Sequence, residues 1–214
     1  MSASPKRGPV TIAVTGSFAS GKSTFTKMLG EAGAETVSSD QIVHDLYAGD
    51  PETLRRVTER FGDVTDEAGN VDRKKLGGAV FGDAEALRDL ETILHPLVRK
   101  ETGRRIQSSE SEVFVAEIPL LFEAGREEAF DYTVAVLPSE SRRREWSAAR
   151  GVDDSSLRGI EARQFTAAEK ARRADIVVEN DGTLEHLEKK AVDLLTRVRQ
   201  ERNIGRDGNE EKQG

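Results

Sequence analysis

Gly16-Ser17-Phe18-Ala19-Ser20-Gly21-Lys22-Ser23 stands between an apolar run (Val10, Ile12, Ala13, Val14) and a stretch carrying Phe25, Met28 and Leu29 at helical spacing. The segment fits Gly-x-x-x-x-Gly-Lys-Ser/Thr at every fixed position, a pattern tied to one local fold: strand, phosphate-binding loop, helix. Its glycines let the backbone curl until several N–H groups converge on an anion. The next helix adds its own N-terminal N–H groups and the positive end of its dipole. In such a loop Lys22 reaches the β- and γ-phosphates and the Ser23 hydroxyl helps to hold Mg²⁺. A bound nucleotide is expected, which does not yet say what the nucleotide is for.

The rest of the chain reads as strands alternating with helices. After a helix over about 22–32, residues 34–39 form a short second strand that ends at Asp40, itself a plausible N-cap for a helix with Ile42, Val43, Leu46 and Tyr47. From about 51 to 108 the pattern is helical. Pro51 opens one helix and Asp72 caps another. Leu87, Leu90, Ile93, Leu94, Leu97 and Val98 then form a long apolar stripe, which Pro96 should kink or divide. A helical block of that size between strands looks like an insertion that closes over something. Apolar runs at 112–118, 132–137 and 175–178 are typical of strands buried on both faces. Five strands with intervening helices predict a doubly wound α/β sheet, with ligands at the carboxyl ends of its strands. The last helix starts near 183, and both residues 1–8 and the polar tail from 204 are expected to be disordered.

Composition narrows the partners. The chain has 214 residues, with 32 basic and 39 acidic side chains, for a net charge of −7. That argues against sequence-independent nucleic-acid binding, which needs an excess of Lys and Arg facing phosphate. There is no cysteine, hence no disulfide, thiol nucleophile or thiolate metal site; His44, His95 and His186 are too scattered to suggest zinc. No apolar run approaches a membrane span and the start lacks the apolar core of a secretory signal, so a soluble cytoplasmic protein is expected, a monomer or weak homo-oligomer.

Several residues outside the loop are suited to chemistry. A carboxylate at Asp40 can accept a hydroxyl proton and aim that oxygen at a γ-phosphate, as well as cap its helix. Glu117 ends the third strand, where an acid often holds Mg²⁺ through water; the alternative is an ordinary strand-end residue. Leu121 and Phe122 are either core or an apolar wall for a substrate, whose polar end Glu123 would engage. The arginines of 139–173 are mostly a solvated helical face. One or two of them on a mobile lid could stabilise phosphoryl charge, Arg150 first, then Arg144 and Arg163. Trp146 either packs within that lid or offers a face to a base. Asn180-Asp181-Gly182 is either simply a turn or, at the sheet's carboxyl edge, a segment that contacts adenine through its backbone and the Asn180 amide, and His95 is either a core histidine or a group facing the acceptor.

This set resembles the dephospho-CoA kinase family over about Val10 to Leu195. The shared segments are the phosphate loop, Ser39-Asp40, Ile93-Leu94-His95-Pro96-Leu97, Ile118 to Glu123, Arg163-Gln164, Lys170 to Asp175 and Asn180 to Thr183. The resemblance implies a P-loop kinase-like three-layer sandwich around a five-stranded parallel sheet. Its core would be 9–50, 111–138 and 169–203, with a helical substrate-domain insertion over about 51–110 and a helical lid over about 139–168. It implies ATP and Mg²⁺ as cofactors and dephospho-CoA as substrate. Gly16 and Ala19 to Thr24 (Ser20, Gly21, Lys22, Ser23 between them) would hold the ATP phosphates, with Asp40 as the base. Three positions depart from the family pattern. Ser17, Phe18 and Ala19 replace Gly, Ile and Gly; Ala19 permits close backbone approach if its φ is negative. Ser38 replaces an acid, and Trp146 replaces a lid arginine. Other readings of the same machinery are a kinase of another small alcohol or nucleoside, and a nucleotide-dependent switch. No Asn-Lys-x-Asp element of a guanine-reading switch is present.

Overall fold

The computed structural model describes residues 8–210, without the side chains of 154, 155 and 204–210. All but Gly8 of the arm expected over 1–8, and residues 211–214 of the expected tail, lie outside the described residues.

The apolar runs form five strands: β1 (Val10–Thr15), β2 (Glu35–Ser38), β3 (Val113–Glu117), β4 (Tyr132–Leu137) and β5 (Ile176–Glu179). They make one sheet in the order β2-β3-β1-β4-β5. β1 runs parallel to β3, with Val10 opposite Val113 and Val14 opposite Glu117, and parallel to β4 on its other side. β5 extends the sheet in parallel beyond β4. The helices are α1 (Lys22–Glu31), α2 (Ser39–Gly49), α3 (Pro51–Phe61), α4 (Arg73–Val80), α5 (Ala84–Ser108), α6 (Glu140–Ala149), α7 (Asp154–Glu161), α8 (Ala167–Arg173) and α9 (Leu184–Glu210). The chain leaves β1 toward β2 and β3 on one side and returns to β4 and β5 on the other. The carboxyl end of β1 is therefore the switch point where a doubly wound sheet opens a crevice.

Two compact units make up the chain: Met1–Thr36 with Ser108–Gly214, and Val37–Gln107. In the first unit, strand residues two apart share a face. Ile12 and Val14, Val113 and Val115, and Val134 and Val136 are all fully buried against Phe25 and Leu29 of α1 and Leu187, Ala191 and Leu195 of α9. The alternate positions Ala13, Phe114 and Ala135 are buried as well, so both faces are covered. This is why these strands read as continuous apolar runs rather than as alternation. α9 continues to Glu210, seven residues past the point where the sequence reading ended the folded chain. Its apolar stripe anchors the helix upstream, and adding residues to an existing helix costs far less than starting one.

The second unit contains the segment expected as the insertion, together with α2 and the end of β2. Ile42, Leu46 and Tyr47 of α2 are buried, and the Tyr47 carbonyl accepts from Val71 N–H at 3.1 Å, which commits α2 to this unit. Pro51 opens α3 and Asp72 caps α4 through Lys74 N–H at 2.8 Å, as the sequence predicts; the Asp50 carboxylate, which the sequence reading did not single out, caps α3 through Thr53 N–H at 2.7 Å. Of the two outcomes expected at Pro96, a kink or a division, division does not occur: α5 runs from Ala84 to Ser108 with the proline inside it. Leu90, Ile93 and Leu94 before the proline and Leu97 and Val98 after it are all buried, so packing on both sides offsets the missing backbone hydrogen bond.

Candidate active site

The phosphate loop follows β1 as the sequence requires. Ser20 N–H donates to the Ser17 carbonyl at 3.2 Å, which closes the curl, and the first intrahelical bond of α1 runs from Phe25 N–H to the Gly21 carbonyl at 3.0 Å. N–H groups ahead of that bond open at the helix N-terminus, and no acidic residue in the first turn opposes an anion there. Gly16 is obligatory in this geometry. A Cβ there would lie 2.5 Å from both Ser20 Oγ and the Val136 carbonyl. Gly21 has φ +84° and faces the Asn180 amide so closely that a Cβ would overlap Nδ2. Ala19 overturns the condition set for it: its φ is +56°, the left-handed region, and it is the one non-glycine with positive φ among the described residues. An alanine held there costs about 1–2 kcal/mol relative to ordinary backbone. The loop therefore carries backbone strain that a glycine at this position would avoid.

The two residues predicted to serve a metal meet. Ser23 Oγ donates to Glu117 Oε1 at 2.7 Å, with Glu117 only 6 % exposed at the end of β3. Hard oxygen donors from the loop serine and a strand-end acid suit Mg²⁺, which takes one or two protein ligands and fills its shell with water and phosphate oxygens. Among the described residues no group of three or more His, Asp or Glu could hold a metal ion.

A cavity of about 550 Å³ opens beside the loop, bounded by Gly21 and Thr24, by Trp146 and Arg150 of the α6 segment, by Asn180 and by Leu187 of α9. Arg150, at the C-terminus of α6, holds its guanidinium 5.7 Å from the centroid of the Phe18 ring, so the arginine preferred from sequence does stand over the loop. Arg144 does not: it is exposed and paired with Glu140 one turn away, a solvated face as most of this arginine run was expected to be. Asn180 is buried, and one N–H of its amide has a role the sequence reading did not assign: Nδ2 donates to the Ser20 carbonyl at 3.0 Å and so braces the loop.

The residues expected to line the acceptor side fare differently. Asp40 is an exposed residue in the first turn of α2, and it is not the cap. Ser38 caps the helix, its Oγ accepting from Gln41 N–H at 3.0 Å. The serine that replaces the family's first acid therefore does the capping, and the Asp40 carboxylate is left clear of it. His95 is exposed on α5, which rules out the core-histidine reading. Leu121 and Phe122 are 0 % and 3 % exposed, so they are core, and the apolar-wall reading lacks a surface. Glu123 is structural as well: Oε1 accepts from Phe165 N–H at 2.7 Å and pairs with the fully buried Lys170 at 2.8 Å.

Sequence reasoning passed over three contributors. Lys170 also donates to the Pro119 carbonyl at 3.1 Å, tying α8 to the turn after β3. Gln164 Oε1 accepts from Phe18 N–H at 3.2 Å, linking the segment after α7 to the phosphate loop. Arg142 places its guanidinium 5.9 Å from the Trp146 ring centroid and lines the cavity. The only signal for them was membership of shared segments or of a charge run, because their partners lie far away in sequence.

A five-stranded sheet in this order, with the phosphate loop at its switch point and a Ser–Glu pair suited to a cation beside it, defines a P-loop kinase fold. The family model for dephospho-CoA kinase matches residues 10–186. The dephospho-CoA kinase of Brucella melitensis is 36 % identical over 191 residues, 87 % of this chain and 94 % of the relative. That of Mesorhizobium japonicum is 41 % identical over 181 residues, 82 % of this chain and 90 % of the relative. A crystal structure of a Thermus thermophilus protein superimposes with a TM-score of 0.73 at 32 % identity, over 89 % of this chain and 98 % of the other. The chain belongs to the dephospho-CoA kinase family.

Among the described residues no helix is long and apolar enough to cross a membrane.

Proposed function

We propose that the chain transfers the γ-phosphoryl group of ATP to the 3′-hydroxyl of the ribose of dephospho-CoA, giving coenzyme A and ADP. The observation that carries this reading is the family match together with a phosphate loop whose Ser23 hydroxyl already touches the strand-end acid Glu117. In this reading the loop amides and Lys22 hold the triphosphate, and Asp40 takes the hydroxyl proton as the ribose oxygen forms its bond to the γ-phosphorus and the bond to the ADP oxygen breaks. Arg150 adds its charge where negative charge gathers on the transferred group. Mg²⁺, held through Ser23 and Glu117, would supply charge neutralisation between the β- and γ-phosphates. Asp40 owes its role to the family pattern and to its place at the start of α2, where Ser38 relieves it of capping.

The test is a coupled assay of ATP consumption with Mg²⁺ and a panel of acceptors that includes dephospho-CoA. A kinase of this substrate consumes ATP strongly only when dephospho-CoA is present. Equal consumption without any acceptor would point to a switch, and a preference for another alcohol would reassign the substrate. Asp40→Asn is expected to leave ATP affinity nearly intact and lower turnover about 10²-fold or more. Near-normal turnover would remove Asp40 from the chemistry.

A further inference from the structure

The cavity beside the phosphate loop has one wall that the family pattern does not account for. Trp146 occupies a position where the family carries an arginine, and a tryptophan acting only as lid packing would be closed over by its neighbours. Instead it is half-buried, lines the cavity with Arg142, and brings its Cζ3 to within 3.9 Å of where a Gly21 Cβ would stand. Indole and guanidinium are both flat groups on which a purine stacks, and they lie one above the other at 5.9 Å. Leu187 adds an apolar surface from α9. A phosphate chain seated at the N-terminus of α1 would lead its nucleoside into this space, since Gly21 and Thr24 border both the loop and the cavity.

The side-chain amide suited to reading a base edge here is already engaged: Asn180 Nδ2 is bonded to the loop carbonyl of Ser20. Stacking is the grip that the indole and guanidinium faces offer, and stacking tolerates any base because every base has a π-face.

We propose that Trp146 is the platform on which the nucleotide base stacks, with Arg142 as its partner, and that this contact discriminates little between purines. The proposal rests on the reading of the loop as a nucleotide site. It is tested on the full chain by calorimetry with Mg²⁺-ADP, Mg²⁺-GDP and Mg²⁺-tripolyphosphate, which has phosphates but no base. Trp146→Ala should weaken ADP and GDP by a similar factor, about tenfold or more, and leave tripolyphosphate within about twofold. Trp146→Phe should recover most of the loss. Trp146 is the only tryptophan in the chain, so the emission of the unmodified protein should change on addition of ADP and stay constant with tripolyphosphate. Equal loss for ADP and tripolyphosphate would make the residue structural and overturn the proposal, as would unchanged ADP affinity or an emission blind to ADP. Failure of the unmodified chain to bind either ligand would instead refute the underlying nucleotide site, and the platform with it.

Discussion

Replacing Gly21 by alanine strikes the phosphate loop in two separable ways. The backbone there has φ +84°, which costs an L-residue about 1–2 kcal/mol. The new Cβ would also overlap Asn180 Nδ2, the group that braces the Ser20 carbonyl at 3.0 Å in a buried setting. To admit the methyl group the amide has to swing away, leaving buried polar atoms unpaired at a cost of about 1–3 kcal/mol. Together these give an expected loss of about 2–5 kcal/mol. Asn180→Ala loses the same hydrogen bond, about 1–3 kcal/mol, with no collision and no strain. In the double variant the strain persists, but the hydrogen bond can be lost only once. Its total should therefore fall short of the sum of the single changes by about 1–3 kcal/mol, the signature of a shared contact. Urea unfolding followed through Trp146 emission reads this directly, since that residue lies in the same compact unit, provided the slopes match among variants. Additivity within about 0.5 kcal/mol would mean that Gly21 and Asn180 do not act on one another, and the bracing of the loop would have to be abandoned.

Ala19→Gly removes about 1–2 kcal/mol of left-handed strain and adds about 0.4–1 kcal/mol of unfolded-chain entropy, so a net gain of up to about 1.6 kcal/mol is expected in the same unfolding experiment. A loss exceeding about 1 kcal/mol would show that the alanine methyl, only 2 % exposed, contributes more by packing than it costs in backbone strain. In the second unit, Glu101 accepts from Arg104 at 2.8 Å and from Arg105 at 2.8 Å, and the Arg104 bonds foremost hold its carboxyl down to about 2. Because the folded form binds its proton less readily than the unfolded chain, the stabilisation is complete above pH 4.5 and disappears as pH falls toward 2. Glu101→Gln should cost about 1 kcal/mol near neutral pH, a modest value because water screens the group, and nothing below about pH 2. A difference from the unmodified protein that does not shrink with acid would refute the ion-pair account.

The chain's order of strands and helices was legible because each element announces itself locally. Glycine and lysine at fixed spacing specify the loop, and continuous apolar runs specify strands covered on both faces, as Val113 to Val115 and Val134 to Val136 are. Asp72 declares a helix start by a bond to a backbone only two residues away. The Ser23–Glu117 pair was foreseen for a different reason: both positions are defined by their relation to strand ends, and parallel register then brings those ends together. The cap of α2 lies two residues from where the sequence reading puts it: Ser38 takes that role, not Asp40.

What the sequence could not supply is everything that depends on two distant segments meeting. The burial of Leu121 and Phe122, the pairing of Glu123 with Lys170 and the bracing of the Ser20 carbonyl by the Asn180 amide depend on segments distant in the chain, 47 residues away for Lys170 and 160 for Ser20. Ala19 shows the same limit on a smaller scale. The alanine is written in the chain, but the backbone angle it endures is imposed by the closed loop and the α1 start that frame it. Local propensity and hydrophobic period act over a few residues and therefore determined the elements. The hydrogen-bonding fate of each buried polar group depends on which long-range neighbours desolvate it, and the tertiary structure alone decided that.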